Sequence, residues 1–72
     1  MNIYQRLRDI REDRDKSQKE IAEIIGTSQS YYAQYENGKR AIPFDRVVIL
    51  AKYYNVSLDY LAGLTDVPKK LM

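Results

Sequence analysis

The sequence predicts an all-α fold, a compact bundle of five short helices, on three observations. Apolar residues recur at helical spacing in successive segments; serines stand where helices would begin; and each of the three glycines stands where one would end. At 72 residues the chain makes one small domain, with little spare volume for a deep catalytic cavity. Hydrophobic content of 44% supplies enough apolar surface to offset chain entropy, so the chain should fold.

In the first helix, Ile3, Leu7, Ile10 and Arg14 fall at i, i+4, i+7 and i+11, which places it at about residues 2–14. Ser17 caps the second helix, and Glu20 three residues on completes a capping box; Ile21, Ala22 and Ile25 face inward. Gly26 stops it and Ser28 caps the third helix, expected from Gln29 to about Asn37 and closed by Gly38. Pro43 fits the first turn of the fourth helix, which Phe44, Val47, Val48, Leu50, Ala51 and Tyr54 make apolar over a wide arc. Asn55 ends it. Ser57 then caps a short fifth helix with Asp59 in its first turn, and Gly63 closes it. The remainder, LTDVPKKLM, has a proline and no helical period, and reads as an arm or tail.

Composition excludes several classes of function. Without cysteine or histidine there are no disulfides, no usual zinc sites and no imidazole base. Neither a nucleophile with a base at a recognisable spacing nor a glycine-rich phosphate loop is present, so an enzyme is not expected, nor a metal, cofactor or small-molecule ligand. Charges recur through MNIYQRLRDIREDRD, so no signal peptide or membrane span begins there, and a soluble cytoplasmic protein is expected. Net charge is only +2, but its distribution is uneven: between Glu23 and Asp45 the one acid is Glu36. A surface built from that stretch would lack the carboxylates that repel phosphate.

The segment SQKEIAEIIGTSQSYYAQYENGKR pushes two helices so close that Gly26, Thr27 and Ser28 alone separate them. On a wheel of about 100° per residue with Gln29 at zero, Tyr32 and Tyr35 lie near 300° and 240°, while Gln29, Ser30, Ala33, Gln34 and Asn37 span about 0–140°. One face is aromatic and the other is small or amide-bearing. A surface helix would ordinarily carry Lys and Glu there. Amides both donate and accept, matching the adenine edge in the major groove, and an alanine methyl permits close approach. A solvated polar face accounts for the same residues, but the sharp corner favours a helix projecting into a groove. The seven tyrosines also invite single-strand stacking. Tyr32, Tyr35 and Tyr54 fall on inward faces, however, and Tyr4, Tyr31, Tyr53 and Tyr60 share no surface.

Residues 17–40, and more loosely 3–64, resemble the helix-turn-helix domain of the phage Cro/CI repressors, the XRE family. The resemblance is carried by Gln18, Ile21, Ala22, Ile25, Gly26, Ser28, Tyr32, Tyr35, Glu36, Gly38 and Lys39, and by NVSLDYLAG at 55–63. It implies a lambda-repressor-like domain over 1–66, with the helix-turn-helix at 18–37 and a short tail at 67–72. It implies a DNA-binding transcriptional regulator, a repressor acting as a homodimer on an operator with two half-sites. By the same resemblance Gln29, Ser30 and Gln34 read bases, as the wheel also indicates, with Ala33 among them. Gln18, Asn37, Lys39 and Arg40 contact phosphate, and so does Ser28, although capping explains a serine there without any ligand. The family joins the positions of Arg11 and Glu36 in an ion pair between the first and third helices. The alternative is a snorkelling Arg11 with Glu36 in water.

Lys16 and Thr27 stand where the family usually has apolar residues, and Ile24 where it has a polar one, which bears on local packing. Val56, Leu58, Leu61 and Leu64 are candidates for the dimer contact, since four helices have already supplied a core; for Leu61, completing that core is the simpler role. The rival function is an antitoxin or antirepressor that binds another protein through this fold.

Overall fold

A computed structural model describes residues 1–69. Five helices follow one another with no strand among the described residues: α1 (Ile3–Asp13), α2 (Gln18–Ile24), α3 (Gln29–Glu36), α4 (Phe44–Tyr54) and α5 (Leu58–Leu61). The tail expected at 67–72 is therefore described only to Lys69, and 70–72 lie outside the described residues.

The helix starts follow from the caps. Asn2 Oδ1 accepts from the Gln5 N–H at 2.9 Å, and Ser17, Ser28 and Ser57 accept from the Glu20, Tyr31 and Tyr60 N–H groups at 3.1 Å each. Glu20 Oε1 in return accepts from the Ser17 N–H at 3.1 Å, completing the capping box. Pro43 is the residue before α4, not part of its first turn, and makes no side-chain cap.

All five helices stop in the same way. Asp15, Gly26, Gly38, Asn55 and Gly63 have φ of 55°, 75°, 74°, 58° and 80°. After each, the next N–H turns back to a carbonyl five residues earlier, as in Thr27 to Ala22 (2.9 Å) and Lys39 to Gln34 (3.0 Å). Asp15 and Asn55 are the two stops without glycine; their short polar side chains tolerate the left-handed backbone. At Gly63 space matters as well as φ, because a side chain there would collide with the Met1 carbonyl.

Leu7 and Ile10 of α1, Ile21 and Ala22 of α2 with Ile25 just after it, Tyr32 and Tyr35 of α3, and Val47, Leu50, Ala51 and Tyr54 of α4 form one core with Val56 and Leu61. Two expectations are corrected here. Phe44 is 70% exposed and Val48 only half-buried, because Phe44 opens α4 a turn before Val47, where the helix first meets the core. Val56 is 2% exposed and has no surface to give a second copy, whereas Leu61, 0% exposed, completes the core, the simpler role expected for it. The left-handed turn at Asn55 folds the chain back onto α4, where the Val56 N–H meets the Ala51 carbonyl at 3.0 Å. Leu58 is half-buried and Leu64 is 77% exposed.

The arm after α5 is held by Arg6, which is only 4% exposed. Its Nη2 donates to the Thr65 carbonyl at 3.2 Å and to Asp66 Oδ1 at 2.9 Å, and its guanidinium lies 3.9 Å from the centre of the Tyr60 ring.

Candidate nucleic-acid interface

The corner between α2 and α3 is built by Gly26, whose positive φ no L side chain favours, although a Cβ there would meet nothing. Ala22 of α2 is 1% exposed, and its small side chain asks for little room in the core beneath that corner. Tyr32 and Tyr35, 0% and 1% exposed, pin one side of α3 to the core, with their rings edge-on at 6.2 Å. The opposite side faces outward: Gln29 and Ser30 are exposed, while Ala33 and Gln34 are half-buried. Asn37, Lys39 and Arg40 are exposed just beyond its end, and Ser28 just before its start.

Glu36 faces inward. Its side chain is 0% exposed and receives Arg11 twice, from Nε at 2.7 Å and from Nη2 at 3.1 Å, while Arg11 Nη1 donates to the Lys16 carbonyl at 2.8 Å. Gln18 Nε2 adds a third bond, to Oε1 at 3.1 Å, and Arg8 Nε stands 3.7 Å away. Burial pushes the Glu36 carboxyl up, but these hydrogen bonds outweigh it and hold the group below its ordinary value. One carboxylate thus ties α1, α2 and the end of α3 together. Gln18, assigned to phosphate from the sequence, has one amide hydrogen committed to this node and keeps a second.

The consequence is electrostatic. Glu36 is the one acid between Ile24 and Phe44, and it is turned inward and neutralised, so the surface made by α3 and the following loop carries no carboxylate. Lys39 and Arg40 are left to set its potential.

Sequence reasoning passes over two features. Arg8, three residues before Arg11 and hence near the same face of α1, reaches the end of α3, where its Nη2 donates to Asn37 Oδ1 at 3.3 Å. Arg40 folds back toward α3, with Nε donating to Gln34 Oε1 at 3.2 Å and the guanidinium 4.6 Å from the centre of the Tyr31 ring. Nothing in residue spacing signals the second contact; it follows from the reversal at Gly38. Ser28 is occupied as a cap, and its Oγ is also 3.4 Å from Ser30 Oγ. No helix among the described residues is long and apolar enough to cross a membrane.

The residue pattern of the helix-turn-helix family matches residues 7–61. Over 64 residues the chain is 45% identical to the uncharacterized HTH-type transcriptional regulator YobD of Bacillus subtilis, covering 89% of this chain and 57% of that one. It is 35% identical over 68 residues to the CTXphi transcriptional repressor RstR of Vibrio cholerae, covering 92% and 61%. The chain thus spans somewhat over half the length of these relatives. Among solved structures, the P22 c2 repressor in complex with a synthetic operator superimposes with a TM-score of 0.76 at 23% identity, covering 85% of this chain and 92% of that one. That likeness shows the fold, a lambda-repressor-like bundle.

Proposed function

The chain belongs to the helix-turn-helix family, and on that premise we propose that it is a transcriptional regulator, a repressor, that binds double-stranded DNA by laying α3 in the major groove. One observation carries the reading: the outward side of α3 and its following loop is free of carboxylate because Glu36 is spent inside the protein. Such a surface meets phosphate without repulsion and offers amide donors and acceptors to base edges.

In this reading Gln29, Ser30, Ala33 and Gln34 face the bases, with the domain at 1–66 and its reading unit at 18–37. Gln18, Ser28, Asn37 and Lys39 meet phosphate, joined by Arg40. A helix of eight residues, α3, touches few base pairs, so two copies on two half-sites multiply specificity. Leu58 and Leu64 remain available for the contact between copies.

The test is selection of bound sites from a random duplex pool in the presence of competitor DNA. Gln29→Ala and Gln34→Ala relax preference at particular positions, by about 1–3 kcal/mol each, whereas Lys39→Ala weakens all duplexes alike. Five base pairs inserted between half-sites whose centres lie about 34 Å apart abolish cooperative binding. Absence of any preference over competitor would overturn the reading and leave a protein partner, as in the antitoxin or antirepressor alternative.

A further inference from the structure

The contact between Arg40 and Gln34 bears on which base the protein reads, and it rests on the DNA-reading role proposed above. A guanidinium can only donate, so the amide oxygen of Gln34 must be the atom that faces Arg40 Nε, at 3.2 Å. The amide NH2 is then the end left for a ligand. A free glutamine suits adenine because it accepts from N6 while donating to N7. Here one of the two lone pairs of Oε1 is already engaged by Arg40 Nε, so an adenine amino group would have to share that oxygen with a guanidinium, two donors crowding one acceptor. A guanine edge makes no such demand, since N7 and O6 both accept.

Arg40 is held in place by more than this bond. The reversal at Gly38 brings the Lys39 and Arg40 N–H groups to the Gln34 carbonyl at 3.0 and 3.3 Å, so backbone and side chain of Gln34 both hold the loop. The guanidinium rests on Tyr31, 4.6 Å from its ring centre. Tyr31 stands edge-on to the buried Tyr35 at 5.6 Å, and the Tyr35 hydroxyl accepts from Arg46 Nη1 at 2.9 Å. With Glu36 turned inward, no carboxylate of this stretch competes for Arg40. Its Nη1 and Nη2 hydrogens remain free of protein partners among the described contacts, and part of its ordering is done before any ligand arrives.

We propose that Arg40 and Gln34 act as one unit of donors that selects guanine in the major groove, making Arg40 a determinant of base specificity and not solely a phosphate contact. The experiment is selection from a random duplex pool with the full chain and with Gln34→Ala, Arg40→Ala and Arg40→Lys; Arg40 is exposed, so folding survives these changes and is checked by denaturation. At the position where Gln34→Ala loses preference, the parent protein prefers guanine. Arg40→Ala shifts the guanine-to-adenine ratio at that same position by on the order of tenfold toward adenine, because the amide is released. Arg40→Lys makes the same shift while keeping the salt dependence of binding, which separates base reading from charge. The proposal is overturned if Arg40→Ala weakens every duplex alike and lowers the salt slope by about one with the base preference intact, the signature of a phosphate contact alone. It is equally overturned if the parent prefers adenine there. A pool with no enriched sequence in any arm sinks the DNA-reading role itself.

Discussion

Breaking the link between Arg11 and Glu36 should be the most damaging polar change in the domain. The two bonds, at 2.7 and 3.1 Å, join a side chain 12% exposed to one 0% exposed. Pairs open to water contribute about 0–1 kcal/mol, whereas stripping one partner from a buried pair costs about 3–5 kcal/mol through the charge left behind. In Arg11→Met the stranded Glu36 keeps Gln18 at 3.1 Å and Arg8 at 3.7 Å, which softens the loss to about 2–4 kcal/mol. In Glu36→Gln, Arg11 still has the Lys16 carbonyl at 2.8 Å and some access to water, so the cost should be smaller. A chain of this length has on the order of 4–11 kcal/mol to lose, and with a urea m-value of about 1 kcal/mol/M the Arg11→Met midpoint should fall by about 2–4 M. The assay is a double-mutant cycle of Arg11→Met and Glu36→Gln in urea melts, with coupling of about 2 kcal/mol expected. Coupling below about 0.5 kcal/mol would refute the reasoning and mean that Arg11 snorkels.

The same node sets the acid limb of stability. Because the folded Glu36 carboxyl is held below its ordinary value, the stability it contributes is whole above the ordinary carboxylate range and is lost as pH falls through the folded value, so Glu36→Gln should flatten acid unfolding; an unchanged limb in pH-dependent melts would place the acid sensitivity elsewhere. Tyr54→Phe should be neutral or stabilising by up to about 1 kcal/mol, since the Tyr54 hydroxyl is buried without a hydrogen-bond partner; a clear loss in thermal melts would count against this. Arg6→Ala should cost about 2–3 kcal/mol through lost packing on Tyr60, while Asp66→Ala should cost less than about 1 kcal/mol because Asp66 is 91% exposed; equal losses in denaturant would contradict it. Gly63→Ala should destabilise by more than the same change at Gly26, where φ is similar but nothing crowds a Cβ; calorimetry of the two variants compares them.

Local signals made the fold legible, and contacts that depend on the meeting of distant segments stayed hidden. Serine caps, glycine stops and a face of tyrosines act within a few residues, so their consequences can be read without knowing what packs where. Phe44 shows the limit: its apolar side chain adds to the wide arc of the fourth helix, but only the third dimension shows that the core begins one turn later. Val56 shows another, because an apolar residue after four helices can equally serve a partner or close the core, and the left-handed turn at Asn55 decides for the core. Arg6 and Arg40 have partners 60 and six residues away, through chain reversals whose direction no spacing encodes. For the candidate interface this division has a physical consequence. The residue types on α3 say that the helix can meet bases, since amides and a small methyl suit any groove edge. Which edge they suit depends on how each amide is turned, and that is set by neighbours brought in by the fold. Glu36 illustrates the same dependence for charge, because its negative sign would count against phosphate on the surface but helps to lock three helices together once it is turned inward.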